Sequence, residues 1–306
     1  MSWVLGYGTD VPVVYILGDE YEVVSLDDEN ELRIVGLPEP FRILALHPAS
    51  QIDRKARARP LISGISVGHA MITAGTLGWF ARYNGKLVMV SNAHVLHHDA
   101  CSDRAPVVPD ILQPGPYDGG FIVRDTVAYY HSHIPVGNRN SDCTLSQMIV
   151  SVLNAVSRLL GRRTRFKAYV EKVNDVDIAL ATLIESHMNA VLQDNGMHVN
   201  PSKEGWKLAG FAFAGGGTRM VFCKVSNILK YYPGLDFGVD TADPKPGDRV
   251  IKCGRTTGCT YGEVETASAY VKVSGYPCGE VLFSDVAVAV GRIAGGDSGS
   301  AVWIVG

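Results

Sequence analysis

A mainly β fold is predicted for this chain of 306 residues, and three observations predict it. The 33 glycines follow no G-X-Y period, which indicates many tight turns. From residue 61 onward, short runs of β-branched and aromatic residues alternate with these glycines. Near the middle of the chain, a single segment stands out with the apolar spacing of an amphipathic helix, so helix is expected to be the minor element.

Residues 1–58 are expected to form an extension ahead of the main domain. They contain extended runs at 13–17 and 22–26 and end in a basic run at 54–59. We interpret the basic run as a solvated connector, and a binding patch is the alternative.

The main domain begins with a hairpin signal. Residues 72–80 and 86–91 are expected to be strands joined at Asn84 and Gly85, because Asn-Gly is favoured in two-residue β-turns. A helix is expected later, at about 144–161, where apolar residues recur at i, i+3, i+4 and i+7. Its apolar stripe predicts that the helix docks on the neighbouring β-structure or on the N-terminal extension.

A last group of strands is expected at 249–257, 261–273, 281–290 and 300–305, entered through a Pro-rich linker at 244–248. Strand 300–305 is apolar on both faces, so it needs hydrogen-bonding neighbours on both edges. At the junction between the first two of these strands, the stretch from Gly254 to Gly258 is interpreted as a hairpin turn. It lacks the Gly-Lys-Ser/Thr of a phosphate-binding loop.

Composition argues against several classes of partner. The chain has 28 Lys and Arg against 31 Asp and Glu, so no nucleic-acid partner is expected. No stretch approaches the ~18 consecutive apolar residues of a spanning helix, and no targeting segment is evident, so we expect no membrane partner and a cytoplasmic location.

The cysteines and histidines do not follow a metal-binding pattern. The six cysteines have no CxxC spacing and are expected to be free thiols, although spacing leaves open whether Cys253 and Cys259 are bridged. The histidines near His94 show no recurring ligand spacing, so no metal is expected.

Three segments carry residues suited to nucleophilic catalysis. His94 follows an apolar strand, Asp177 precedes a buried apolar run, and Ser298 lies in a Gly-rich turn. A serine hydroxyl needs a base to take its proton, and that imidazole needs a buried carboxylate to fix its tautomer. Asp175 is the alternative carboxylate, because residues two apart share one face of a strand.

These motifs resemble those of the trypsin-like serine peptidases of the chymotrypsin fold, in a divergent archaeal and bacterial subgroup. Asn92-Ala-His94-Val resembles the family's histidine motif, Asp177-Ile-Ala-Leu its aspartate motif, and Gly296-Asp-Ser298-Gly its serine motif. The resemblance covers residues 60–306 and implies two antiparallel β-barrels, with His94 and Asp177 on the first and Ser298 on the second.

The resemblance also implies roles for neighbouring residues. The N–H groups of Gly296 and Ser298 are expected to form the oxyanion hole, and no cofactor is implied. Arg292 occupies the position that corresponds to the floor of the substrate pocket. If buried there, Arg292 favours an acidic substrate side chain; an exposed Arg292 is the alternative.

The expected organisation is an extension at 1–58, a first barrel at 59–245 with the helical insertion, and a second barrel at 246–306. Only residues 299–306 follow Ser298, so the second barrel is expected to be incomplete, and a C-terminal segment or a second chain is expected to complete it. Secreted members of the family bury a cleaved N-terminus against the aspartate before the serine. No segment here resembles it, so Asp297 needs another partner.

The expected function is that of a serine endopeptidase, which cleaves a polypeptide substrate through an acyl-enzyme on Ser298. Two alternatives stand beside it. One is a catalytically impaired scaffold that serves as a binding or assembly module. The other is a self-processing peptidase that ends at its own cleavage site.

Overall fold

The computed structural model describes, with side chains, residues 53–137, 148–164, 166, 173–184, 201, 204–216 and 218–305, and the backbone of the further elements given below. It divides into two compact units, Met1–Ile52 and Asp53–Gly306. The first unit contains two antiparallel strand pairs, β1 (Val4–Tyr7) with β2 (Pro12–Tyr15) and β3 (Glu31–Leu32) with β4 (Phe41–Arg42). The extended run expected at 22–26 lies outside the described residues.

The basic run at 54–59 belongs to the second unit and is bound to it, so its interpretation as a solvated connector is wrong. Arg54 donates to the carbonyl of Gly64 at 3.2 Å. Arg57 lies 3.2 Å from the buried carboxylate of Asp125. These contacts place the boundary between the units before the run rather than within it.

The second unit begins with a seven-stranded antiparallel sheet that forms a half-barrel, in the order β6-β5-β9-β10-β13-β8-β7. The elements of this part of the chain are β5 (Ser66–His69), β6 (Gly75–Thr76), β7 (Trp79–Tyr83), β8 (Lys86–Ser91), α1 (Ala93–Leu96), β9 (Asp110–Leu112), a 3-10 turn (Pro116–Asp118), β10 (Thr126–His133), β11 (Arg139–Asn140), α2 (Thr144–Leu159), β12 (Tyr169–Val170) and β13 (Ala179–Leu183). β11 and β12 pair with each other outside the sheet.

The hairpin predicted at Asn84 and Gly85 is confirmed. β7 and β8 pair from Trp79 opposite Val90 to Tyr83 opposite Lys86. Both turn residues have positive φ, as the tight turn between two twisted strands requires.

The second sheet is a closed six-stranded barrel in the order β14-β15-β18-β17-β16-β19. Its elements are β14 (Lys207–Gly216), β15 (Arg219–Lys224), α3 (Val225–Tyr231), β16 (Arg249–Gly254), β17 (Gly258–Tyr276), β18 (Gly279–Gly291) and β19 (Ala301–Ile304). Inward-facing side chains from all six strands, including Phe222, Val264 and Val302, fill its core. The predicted mainly β fold of two antiparallel barrels is thereby confirmed, with the first sheet a half-barrel and the second a closed barrel.

The second barrel is complete, so the expectation of an incomplete barrel is wrong. β19 pairs with β14 on one edge, where Val302 lies opposite Gly210, and with β16 on the other, where Val302 lies opposite Lys252. β14 and β15 precede the linker at 244–248, and the sequence predicts that they belong to the first barrel. The linker therefore joins elements of one barrel, and the predicted boundary at 245 is wrong.

The helix predicted at 144–161 is present as α2, but the expected docking is wrong for the residues described. Met148, Val152 and Leu159 are 62%, 63% and 87% exposed. An apolar stripe specifies which face of a helix is apolar, whereas tertiary structure decides whether anything covers that face.

Two disulfides contradict the expectation of free thiols. Cys253 and Cys259 lie directly opposite each other in the β16–β17 ladder and are bridged. Cys101 and Cys278, 177 residues apart in sequence, form the second bridge. Cys223 is free and buried; Cys143 lies outside the described residues.

Among the described residues, no helix has the length and apolar character needed to cross a membrane.

Candidate active site

Asp177 and His94 form a hydrogen-bonded pair at one end of the first sheet. Asp177 lies just before β13, and His94 is in α1, the single helical turn that follows β8. Because β8 and β13 are neighbours, with Ser91 opposite Ala179, their pairing brings the two segments together. His94 Nδ1 lies 2.5 Å from Asp177 Oδ2, and the Asp177 side chain is completely buried.

Further hydrogen bonds hold Asp177 in place. Its Oδ1 accepts from the N–H of Ala93 at 2.7 Å, and its carbonyl accepts from Asn92 Nδ2 at 2.7 Å. Burial raises the pKa of the Asp177 carboxyl, but the charge of His94 and the hydrogen bonds to the carboxylate lower that pKa below its ordinary value. The ionised carboxylate favours the imidazole tautomer with the proton on Nδ1.

Asp175, the alternative carboxylate, lies elsewhere. It accepts a hydrogen bond from the hydroxyl of Tyr231 at 2.7 Å and lies 4.0 Å from Lys230 Nζ. Of the two candidates, the structure places only Asp177 against the imidazole.

The turn that carries Ser298 is bound to the first sheet beside α1. Thr76 of β6 donates its N–H to the Ser298 carbonyl and its Oγ1 to the Gly296 carbonyl, both at 2.8 Å. Gly75 has no room for a side chain, because a Cβ there would meet both Val95 of α1 and the Ser298 carbonyl. Ser298 and the helical turn of His94 therefore lie against the same glycine.

Ser298 is half-buried, and its hydroxyl donates to the Phe213 carbonyl at 3.4 Å. The His94 side chain is 30% exposed, and no hydrogen bond joins its Nε2 to any described residue. The hydrogen bond expected between Nε2 and Ser298 Oγ is therefore not made in this arrangement. Such contacts are often loose when no substrate is bound.

Three backbone N–H groups in the turn that leads to Ser298, those of Gly295, Gly296 and Ser298, donate to no acceptor in the described part of the chain. The N–H groups of Asp297, Gly299 and Ser300 each donate to a carbonyl. Those of Gly296 and Ser298 do not, and Gly296 has a φ of +93°, which glycine adopts readily. The N–H groups of Gly296 and Ser298 are the two that are predicted to form an oxyanion hole.

Asp297, whose partner the sequence left open, is completely buried and paired with a cation from the same barrel. Lys252 of β16, 1% exposed, places its ammonium 3.1 Å from Asp297 Oδ2. The N–H groups of Thr256 and Thr257 bind Oδ1 at 2.8 and 3.0 Å. Burial raises the pKa of the Asp297 carboxyl, but the Lys252 charge and the threonine hydrogen bonds lower it overall.

The stretch from Gly254 to Gly258 is a hairpin turn, as predicted, with these two glycines paired at the β16–β17 junction. Besides binding Asp297, it joins the two sheets. Arg255 forms two hydrogen bonds with the buried carboxylate of Asp118, at 2.5 Å each. Sequence reasoning identified the turn but not what it binds.

Tyr276 is a site residue that sequence reasoning missed. It ends β17, and its hydroxyl donates to Asp177 Oδ2 at 2.5 Å. Its ring lies edge-on to the His94 ring, with 5.8 Å between centroids. Tyr276 is 99 residues from Asp177 in sequence, and no local pattern distinguishes it from the other tyrosines.

Arg292 is exposed, so the interpretation as a buried arginine at the floor of a pocket is wrong. Its carbonyl accepts from Thr260 Oγ1 at 2.9 Å, which fixes the backbone while the side chain faces solvent.

Comparison with known proteins gives structural likeness alone. No protein-family model and no curated protein matches the chain. Protease A of Thermobifida fusca is similar over 80% of this chain and 77% of its own, with 13% identity and a TM-score of 0.35. A glutamic-acid-specific serine protease is similar over 80% and 93%, with 13% identity and a TM-score of 0.34. Likeness at this level carries no argument about function.

Proposed function

We propose that this protein is a serine endopeptidase that cleaves peptide bonds through an acyl-enzyme on Ser298. The Asp177–His94 pair carries the proposal. A buried carboxylate bound to imidazole Nδ1 at 2.5 Å leaves Nε2 as the basic nitrogen. The contacts of the Ser298 turn with Thr76 and Gly75, next to α1, support the assignment of Ser298 as the nucleophile.

In the proposed acylation step, Ser298 Oγ attacks the scissile carbonyl carbon while His94 Nε2 takes its proton. Rotation about the Ser298 side-chain torsion first releases Oγ from the Phe213 carbonyl. Asp177 stabilises the imidazolium, and the oxyanion accepts hydrogen bonds from the N–H groups of Gly296 and Ser298.

The acyl-enzyme then forms and breaks down by proton transfer through the same imidazole. His94 donates its proton to the leaving amine as the carbon–nitrogen bond breaks. A water molecule next attacks the ester and gives a proton to His94, and the released Ser298 hydroxyl recovers that proton.

The Lys252–Asp297 pair supports a Ser298 turn that is already formed in this chain. The ammonium comes from a barrel strand, so the proposed active turn needs no cleaved N-terminus to balance Asp297. The two alternatives, a binding module and a self-processing chain, depended on an incomplete second barrel. Because that barrel is closed, neither has an observation in its favour.

A fluorophosphonate probe tests the proposal, since it reacts with serine hydroxyls that a neighbouring base activates. We expect labelling at Ser298, located by peptide mass spectrometry. Ser298→Ala is expected to abolish labelling, and His94→Ala to slow it by at least about a hundredfold. Ser274→Ala, which changes an exposed serine of β17, is the matched control and should label normally. A folded wild-type protein that does not react would exclude peptidase activity through Ser298.

A further inference from the structure

The β17–β18 hairpin extends beyond the second barrel as far as the Asp177–His94 pair. The strands stay paired out to Tyr276 opposite Gly279, next to the turn. Near its tip the hairpin is bound to the first half of the unit. Asn174 donates its N–H to the Leu282 carbonyl at 3.0 Å, and Cys278 is bridged to Cys101.

Tyr276 is the residue that this hairpin delivers to the site. Its side chain is 8% exposed and packs beside Phe283, with 5.9 Å between ring centroids. Its hydroxyl and His94 Nδ1 bind the same carboxylate oxygen, Oδ2 of Asp177. Burial, together with the Asp177 charge, raises the pKa of Tyr276 well above its ordinary value, so the hydroxyl remains a donor.

Within the described residues, the other donors to this carboxylate are the N–H groups of Ala93 at 2.7 Å and His94 at 3.4 Å, and both bind Oδ1 rather than Oδ2. Cys223 and His133 are the further titratable groups that interact with Asp177, and neither donates a hydrogen bond to its carboxylate within the described residues. Burial raises the pKa of the Cys223 thiol to about 12, so the thiol is neutral. Without the Tyr276 hydroxyl, Oδ2 keeps His94 Nδ1 as its one described donor.

We propose that Tyr276 is a positioning residue: its hydroxyl and ring hold Asp177 and His94 in the geometry for proton transfer, and the Cys101–Cys278 bridge holds Tyr276 there. This inference rests on the proposed peptidase function and adds to it a residue from the second barrel that acts through Asp177. Two donors on one carboxylate oxygen restrict its rotation, and restricted geometry is what general-base catalysis requires.

Tyr276→Phe removes the hydroxyl and keeps the ring. We expect the rate constant for fluorophosphonate labelling to fall about tenfold to a hundredfold, as loss of a hydrogen bond to a charged group predicts. Tyr270→Phe is the matched control, because Tyr270 lies on the same strand and is 78% exposed. It should label at the wild-type rate.

A second readout does not depend on peptidase activity. The His94 Nδ1 proton, held between nitrogen and carboxylate, is expected to give a far-downfield proton NMR resonance. That resonance should move or broaden in Tyr276→Phe and stay in place in Tyr270→Phe, with thermal unfolding used to show that both variants fold. An unreactive wild type would defeat the proposed function, yet this resonance would still test whether Tyr276 positions the pair.

The bridge is tested with the double variant Cys101→Ser/Cys278→Ser. It should slow labelling in the same direction, and adding Tyr276→Phe should cost little more, because both changes act through one contact. Wild-type labelling and an unmoved resonance in folded Tyr276→Phe would overturn the role of Tyr276. Losses that multiply in the triple variant would overturn the role of the bridge.

Discussion

Among single residues, Lys252 is a buried charge that depends on its ion pair with Asp297. Its side chain is 1% exposed and that of its partner Asp297 is completely buried, so neither charge has water to stabilise it. Burial lowers the pKa of Lys252, while the Asp297 charge raises it. Such a pair contributes modest net stability, but removing one partner leaves a costly lone charge.

Lys252→Met should therefore lower the free energy of unfolding by about 3–5 kcal/mol, measured by urea denaturation. It should also slow fluorophosphonate labelling, because the Ser298 turn loses the cation that holds Asp297. Neutralising both partners in Lys252→Met/Asp297→Asn should recover part of the lost stability.

Lys272→Met is the matched control. Lys272 is 59% exposed and lies 3.8 Å from an exposed Glu280, so its loss should change the free energy of unfolding by at most about 0.5 kcal/mol. Equal effects of the two lysine variants would contradict the assignment of the buried pair.

At the level of elements, the barrel strands and α2 differ in what their apolar residues contact. Val264 of β17 is 1% exposed in the barrel core. Val152 of α2 is 63% exposed although its spacing is that of a docked helix. We therefore expect the same substitution to change the free energy of unfolding very differently at the two valines.

Val152→Asp should change the free energy of unfolding by no more than about 0.5 kcal/mol, because the new carboxylate stays in water. Val264→Asp should lower it by more than about 3 kcal/mol, because it buries an unpaired charge. Thermal unfolding of both variants provides the comparison. A large loss of stability in Val152→Asp would show that α2 is covered after all.

For the whole molecule, contacts between the sheets build the site. The Trp79 and Trp303 rings pack edge to face, with 4.8 Å between centroids. Arg255, which pairs with Asp118, also donates its N–H to Thr76 Oγ1 at 3.0 Å, and the Cys101–Cys278 bridge adds a covalent link. Disulfides are typical of oxidising compartments, although cytosolic proteins of hyperthermophiles also contain them. A cytoplasmic location therefore stays a prediction.

Stability of the whole fold should also depend on three buried histidines of the first sheet region. Burial lowers the pKa of His69 and of His133 to about 4, and it lowers the pKa of His97. The unfolded chain takes up these protons near pH 6.5, whereas the folded protein does not. The free energy of unfolding should therefore fall as pH drops from about 6.5 to 4, by at most about 1.4 kcal/mol per pH unit for each histidine.

Urea unfolding across this pH range measures the slope. Carboxylates with lowered pKa values, such as Asp177 and Asp297, begin to lose their contribution only below about pH 5, so the slope between pH 6.5 and 5 belongs to the histidines. His69→Gln should reduce the slope, because it removes one of the three buried histidines. A stability that is flat between pH 6.5 and 4 would contradict the prediction.

The sequence by itself determined features that depend on residues close together in the chain. Asn84 and Gly85 predict their hairpin, because that turn needs positive φ at neighbouring positions. The apolar spacing predicts α2, and the residues around His94, Asp177 and Ser298 identify the candidate site. Each of these signals lies within a short stretch of sequence, so it can be recognised without knowledge of the fold.

Only the tertiary structure decided which distant segments meet. It closed the second barrel with β14 and β15, gave Asp297 the ammonium of Lys252, and brought Tyr276 to the Asp177–His94 pair. Strand pairing and side-chain contacts across many residues depend on the packing of whole sheets, and no spacing along the chain encodes them. The exposure of the apolar stripe of α2 could not be predicted for the same reason, since local periodicity shows an apolar face but not what surrounds that face.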